Sequence, residues 1–210
     1  MAGEWNVPVV TGEPNNQTFS SFWVGLDGDG VTDLVQAGTE QDSANYIFPF
    51  VNIMVSIYYA WTEFLPQQAT EHVISGLAIN PGDLIFTQVW MGNGGSLPTL
   101  SGAFGIFLIM NLSSGFSISP IHTPVGGTRV SGAEAVWIME RPTVAGSLPD
   151  LANYGSATMS SAAARKANAG FIAYQGARNK QISMVNGTDI RSTVTPIDAY
   201  SMRFDWQRFN

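Results

Sequence analysis

The sequence predicts an all-β domain, and three observations carry that expectation. Short apolar segments recur along the whole chain. The 22 glycines and 11 prolines fall between them at intervals, as turns do in a β-protein. One long segment alternates with period two: Val51, Ile53, Val55, Ile57, Tyr59, Trp61, Glu63 and Leu65 share a face if the strand is unbroken.

In chain order, strands are expected at Ser21–Leu26, Asp33–Gln36, Val51–Phe64, Val73–Ile79, Asp83–Met91 and Ala103–Met110. They continue at Ala135–Glu140, Gly170–Tyr174, Gln181–Val185 and Tyr200–Asp205. Turn clusters separate them, among them Asp27-Gly28-Asp29-Gly30, Asn80-Pro81-Gly82 and Gly92-Asn93-Gly94-Gly95-Ser96. Only Ala157–Ala169 reads as helical, because it is rich in alanine and Gly170 follows as a cap. Trp61 and Glu63 are unusual on a core face, since a glutamate is rarely buried without a partner. That face therefore opens into a cleft near these two residues, or ends at a sheet edge where Glu63 meets water; the pattern alone leaves both open.

The bulk properties fit one domain over residues 1–210. A sandwich of this length runs as one unit and buries a sizeable core. Charged residues make up 12% and apolar residues 45%, which excludes a disordered chain. The net charge is −7, and no dense Lys/Arg cluster exists, so no nucleic-acid partner is expected. The closest grouping is Arg165, Lys166, Arg178 and Lys180. The longest apolar stretches, Ile47–Trp61 and Ala103–Met110, fall short of the roughly 20 residues that span a bilayer, so no membrane partner is expected either.

Several chemistries find no motif. There is no cysteine, hence no disulfide and no thiolate metal site. His72 and His122 are too far apart in sequence, with no third ligand nearby, to suggest zinc. Asp27-Gly28-Asp29-Gly30 resembles the start of a calcium loop, but Gly38 stands where the twelfth-position acid belongs, so it reads as a tight turn. No GxSxG motif is present. Trp90, Phe104, Phe107 and Trp137 read as core.

Four segments, in order, resemble the glutamic peptidases, or eqolisins: Phe22-Trp23-Val24-Gly25-Leu26-Asp27-Gly28; Val35-Gln36-Ala37-Gly38-Thr39-Glu40; Tyr59-Ala60-Trp61-Thr62-Glu63-Phe64-Leu65-Pro66; and Ala135-Val136-Trp137-Ile138-Met139-Glu140-Arg141-Pro142. Weaker echoes are Asn6-Val7-Pro8, Pro81-Gly82-Asp83 and Leu151-Ala152-Asn153-Tyr154-Gly155, and Ile182–Asn186 fits the bacterial branch. The resemblance implies a sandwich of two antiparallel sheets, a concanavalin-like jelly roll. It implies an endopeptidase that acts on polypeptides in acid, without metal or organic cofactor, and is secreted or exported, although MAGEWNVPVV carries no signal-peptide pattern.

Carried onto this sequence, the resemblance makes Gln36 and Glu140 the catalytic pair, and Trp23, Asp27, Glu40, Tyr59, Trp61, Glu63 and Val136 the residues lining or supporting the cleft. The departures are specific. Tyr59 stands where fungal members carry an acid, Val136 replaces the glutamate four residues before the catalytic one, the stretch from Gln36 to Trp61 is long and apolar, and the family's first strand is expected to be missing. The chemistry needs a carboxylate to take a proton from water and a carboxamide to donate to the oxyanion. The competing expectation is a non-catalytic sandwich that binds carbohydrate or protein, because one fold hosts both functions. The sequence leaves oligomeric state undetermined.

Overall fold

The structure, a computed structural model, describes residues 1–13, 15–48, 50–66, 68, 70–92, 104–122, 130–165 and 170–209. Its strands are β1 (Ala2–Asn6), β2 (Thr18–Asp27), β3 (Leu34–Phe48), β4 (Val51–Leu65), β5 (His72–Val73), β6 (Leu84–Gly92), β7 (Phe104–Asn111) and β8 (Phe116–Ile118). They continue as β9 (Ile121–His122), β10 (Ala135–Glu140), β11 (Asp150–Leu151), β12 (Ser156–Arg165), β13 (Phe171–Ala173), β14 (Met184–Asn186), β15 (Asp189–Asp198) and β16 (Ser201–Trp206). Two sheets result. One runs β14-β15-β16-β12-β1-β6-β7-β8, with β13 on β12 and β9 on β7. The other runs β10-β2-β3-β4-β5, with β11 on β2. The all-β expectation holds, and the two sheets pack as a sandwich.

Alternation divides the second sheet into two chemistries. Phe22 and Val24 of β2, Val35 and Ala37 of β3, Ala60 and Phe64 of β4 and Met139 of β10 face the first sheet and are buried. There Trp5 and Phe22 lie 5.4 Å apart, Phe22 meets Phe204 edge-on at 5.2 Å, and Phe64 meets Phe107 edge-on at 5.8 Å. The intervening residues, which include Trp23, Gln36, Glu40, Trp61, Glu63 and Glu140, occupy the other face. β4 runs unbroken through the whole alternating segment.

Two expectations are corrected, and one strand is added. The Ala-rich segment is β12, not a helix. It lies between β1 and β16, burying Ala157, Met159 and Ala162 against the core. A bulge at Ser161 (φ 52°) shifts its register against β1. Pairing on both sides overrides alanine's weak helix preference; residues 166–169 lie outside the described ones. A strand that the residues did not announce, β1, sits in mid-sheet between β12 and β6. Its Trp5 is core, donating to Thr39 Oγ1 at 3.0 Å, and so does not line the cleft. Finally, Val73–Ile79 is not a strand: only its first residue belongs to the two-residue β5, His72–Val73. The turn expected at Gly92–Ser96 falls mostly outside the described residues.

One contact in the second sheet constrains the site directly. β2 and β3 come together at Trp23 and Gly38, which pair in register. A Cβ at Gly38 would stand 2.5 Å from Trp23 Cβ and 2.8 Å from Trp23 Cα. Gly38→Ala is therefore expected to destabilise the fold by about 1–3 kcal/mol, measured as a lowered urea midpoint. Gly30→Ala, at a turn with open space but positive φ (85°), should cost less.

Candidate active site

The site is the outer face of β10, β2, β3 and β4, where register sets three rows. The first places Val136, Gly25, Gln36 and Glu63 side by side; the second Ile138, Trp23, Gly38 and Trp61; the third Glu140, Ser21, Glu40 and Tyr59. The sequence-predicted residues Gln36, Glu140, Trp23, Glu40, Tyr59, Trp61, Glu63 and Val136 thus share one face. Glu63 lies inside this cleft rather than at a wet edge, half-buried and bonded to Gln36.

Each functional group is anchored through one atom. The Trp23 indole N–H donates to Glu140 Oε2 at 2.7 Å. Gln36 Nε2 donates to Glu63 Oε2 at 2.7 Å. Gln36 is buried, and its Oε1 has no partner among the described residues. The Trp61 indole donates to Ser21 Oγ at 3.1 Å. Trp23 and Trp61 are both buried, so they act as walls and donors more than as exposed platforms. Asp27 sits at φ 66° at the end of β2. Both its oxygens accept from the loop after residue 130, through Ser131 N and Oγ, Gly132 N, Ala133 N and Glu134 N. Its carboxylate supports the approach to β10.

Two site residues escaped sequence reasoning. Glu71, just before β5, accepts from the Tyr59 hydroxyl at 2.6 Å. A carboxyl thus stands beside Tyr59. Asp42, two residues beyond Glu40 on β3, shares the carboxyl-bearing face and is buried. The only sequence signal for Asp42 was the i, i+2 spacing of acids in a strand; for Glu71 there was none, because it lies on a connection.

The carboxyls are held towards their neutral forms. Burial raises Glu140 to about 7; the Trp23 hydrogen bond opposes this, while Glu63 and Glu71 add repulsion. Burial is the largest influence, so Glu140 lies above the ordinary glutamate range. Glu63 is raised by burial, opposed by the Gln36 hydrogen bond. Glu71 is raised by burial, opposed by the hydrogen bond from Tyr59. Glu40 is pushed well up by burial and by repulsion from Asp42 and Glu71. Asp42 is raised by burial to about 7. Among the described residues no cluster of His, Asp and Glu has the arrangement to hold a metal ion.

These shifts have a definite sign for stability. A carboxyl whose value is raised on folding binds more protons in the native state than in the unfolded one. Its stabilisation is fully present in acid, below the ordinary carboxylate range, and is lost as pH rises through the folded value. Thermal melting is expected to fall by at least about 5 °C between pH 4 and pH 7. Asp42→Asn should flatten that dependence, and an unchanged slope would show that Asp42 titrates normally.

The model of the Peptidase A4 family matches residues 1–203. No curated protein sequence matches the chain. Among solved structures, aspergilloglutamic peptidase from Aspergillus niger is similar, with 22% identity and TM-score 0.70 over 90% of this chain and 99% of that one. Scytalido-glutamic peptidase bound to a transition state analog inhibitor aligns with TM-score 0.74 and 17% identity, over 98% of this chain and 91% of that one. SCP-B, an eqolisin in complex with the tripeptide Ala-Ile-His, aligns with TM-score 0.69 and 17% identity, over 98% of this chain and 90% of that one.

Proposed function

The chain belongs to the Peptidase A4 family, and from that membership and the geometry of the cleft we propose that it is an acid-acting endopeptidase whose nucleophile is a water activated by Glu140 and Gln36. The observation that carries this reading is the pattern of anchoring. Glu140 is fixed through Oε2 by Trp23, and Gln36 through Nε2 by Glu63. That leaves Glu140 Oε1 and the second Gln36 N–H for water and substrate, with the buried Gln36 Oε1 unpartnered among the described residues.

The reaction follows from those atoms. Ionised Glu140 takes a proton from the water as its oxygen attacks the scissile carbonyl carbon. The free Gln36 N–H donates to the oxyanion of the tetrahedral intermediate. Glu140, now protonated, passes the proton to the amide nitrogen, the C–N bond breaks, and an acid and an amine leave. No serine, cysteine, metal or organic cofactor enters. Export from the cell fits a peptidase of this kind. The sugar-binding alternative has less support, because the Trp23 and Trp61 faces that would stack on a ring are buried.

Two opposing pH dependences set the optimum. The fraction of Glu140 ionised rises towards pH 7, because burial places its value there. Fold stability falls over the same interval. Activity on a denatured protein substrate is expected to peak on the weakly acidic side, below pH 7, and to survive chelators. Trp23→Phe deletes the donor that lowers the Glu140 value, so the rising limb of the kcat/KM profile should move to higher pH; a profile that stays in place would separate Trp23 from Glu140.

Glu140→Gln keeps shape but removes the base and should abolish hydrolysis with the melting temperature preserved in acid. Gln36→Ala should lower kcat by roughly 10²–10³-fold. Fragment release by either variant at the parent rate would overturn the catalytic assignment.

A further inference from the structure

The hairpin of β3 and β4 outruns its sheet. β2 pairs β3 only from Leu34 to Ser43, and β5 pairs β4 only at Trp61 and Thr62. From Ala44 and Val55 outward, the two strands continue as a ribbon with no third strand on either side among the described residues. One face of its base is covered: the Tyr58 hydroxyl accepts from Val10 N at 3.2 Å, and Ser56 Oγ donates to Val10 O at 3.3 Å. The opposite face is bare. Val51, Ile53, Val55 and Ile57 expose 53%, 44%, 37% and 39% of their surface there. A two-stranded ribbon is marginal in water by itself, and a run of exposed apolar side chains marks a binding surface.

The bare face continues the cleft. Alternation along β4 puts Ile57, Val55, Ile53 and Val51 on the side that carries Tyr59, Trp61 and Glu63. The row after Glu140, Ser21, Glu40 and Tyr59 is Phe19, Asp42 and Ile57, and the next pairs Ala44 with Val55. The geometry points to a hydrophobic extension of the substrate groove, in which Ile53, Val55 and Ile57 hold an extended apolar segment of the polypeptide substrate several residues away from the scissile bond. This rests on the peptidase reading and gives it a substrate class: chains with an apolar run flanking the cleavage point. At about 3.3 Å per residue, Ile53 lies roughly 20 Å beyond Tyr59. A tetrapeptide therefore cannot span from the catalytic rows to Ile53, whereas a decapeptide can.

Charge favours this occupant over two others. All nine Lys and Arg residues follow residue 128, so the ribbon and the cleft strands β2, β3 and β4 have no cation of their own to attract anionic lipid. A second copy docked on the same face would bury the Asp42, Glu40 and Glu71 carboxyls of two chains together, and these repel as they ionise towards neutral pH. A neutral or basic polypeptide meets neither obstacle.

The test measures binding apart from turnover. Glu140→Gln protein is titrated at pH 4, by fluorescence anisotropy, with a labelled decapeptide bearing Leu, Ile and Val along one half, with the same peptide carrying Ser and Gly there, and with a labelled tetrapeptide. The comparison protein adds Ile53→Thr, Val55→Thr and Ile57→Thr, which keep β-branched side chains on exposed positions; single Ile53→Thr serves if the triple variant does not fold. The expected result is a loss of about tenfold in affinity for the apolar decapeptide, or a smaller but measurable loss with the single variant, and less than twofold change for the other two ligands. Equal binding of the apolar decapeptide by parent and variant, or no binding by either, overturns the proposal. So does a dimer in sedimentation that the substitutions dissolve, or adsorption to phosphatidylcholine–phosphatidylglycerol vesicles that they abolish. Failure of the protein with Glu140 intact to cleave any protein would instead count against the peptidase reading, and the binding result would still decide this one.

Discussion

Trp23 is the residue on which the site depends. It lies in β2 between the strand that carries Glu140 and the strand that carries Gln36. Its backbone packs against Gly38 at a distance that admits no side chain there, and its indole N–H reaches Glu140 at 2.7 Å. The close approach of β2 and β3 thereby becomes a fixed direction for a carboxylate on a third strand. The neighbours repeat the device at lower cost: Glu63 on β4 holds the Gln36 amide, and Ser21 holds the Trp61 indole. The groups proposed to react are positioned by cross-strand pairs within one sheet.

That arrangement concentrates acid. Glu140, Glu63, Glu71, Glu40 and Asp42 share the cleft side of the second sheet, and burial raises all five. Desolvation, which opposes the charged form, is the largest cause in each case. Neutral carboxyls can hydrogen-bond one another and their neighbours with little repulsion, so the face is at ease in acid and strained as it ionises. The same burial that makes Glu140 responsive to its surroundings ties the integrity of the cleft to the proton supply.

Much of this could be read from residues alone, and what could not has physical reasons. β10 has the bounds that its alternation predicts, and β4 runs as its period-two pattern requires. Gln36 and Glu140 were paired by the resemblance of their segments, and they share a face because the register of β10 and β3 on β2 aligns their parity. β12 misled because alanine's helix preference is weak beside the two ladders that flank the strand. β1 was invisible because a five-residue strand with a single tryptophan has too little pattern to register. β3 extends to Phe48, well beyond the expected Gln36, because its polar stretch through Asp42 pairs with an apolar partner, and partner choice is not written in either strand. Glu71 is supplied by tertiary placement of a connection, which no spacing rule reaches.

The position of β1 has a consequence for how the molecule is made. Its five residues lie in the middle of the larger sheet, with Ala2 opposite Ala163 and Trp5 opposite Met159 on one side, and with β6 on the other. Until β12 exists, the segment has half its backbone partners, and Trp5 lacks part of the core that encloses it. During synthesis the first strand must therefore wait for residues more than 150 positions downstream. Loop closure over such separations is slow, and exposed strand edges invite pairing with other chains meanwhile. Completion of the larger sheet, and with it the platform on which the second sheet packs, is accordingly a late event that follows release of most of the chain from the ribosome.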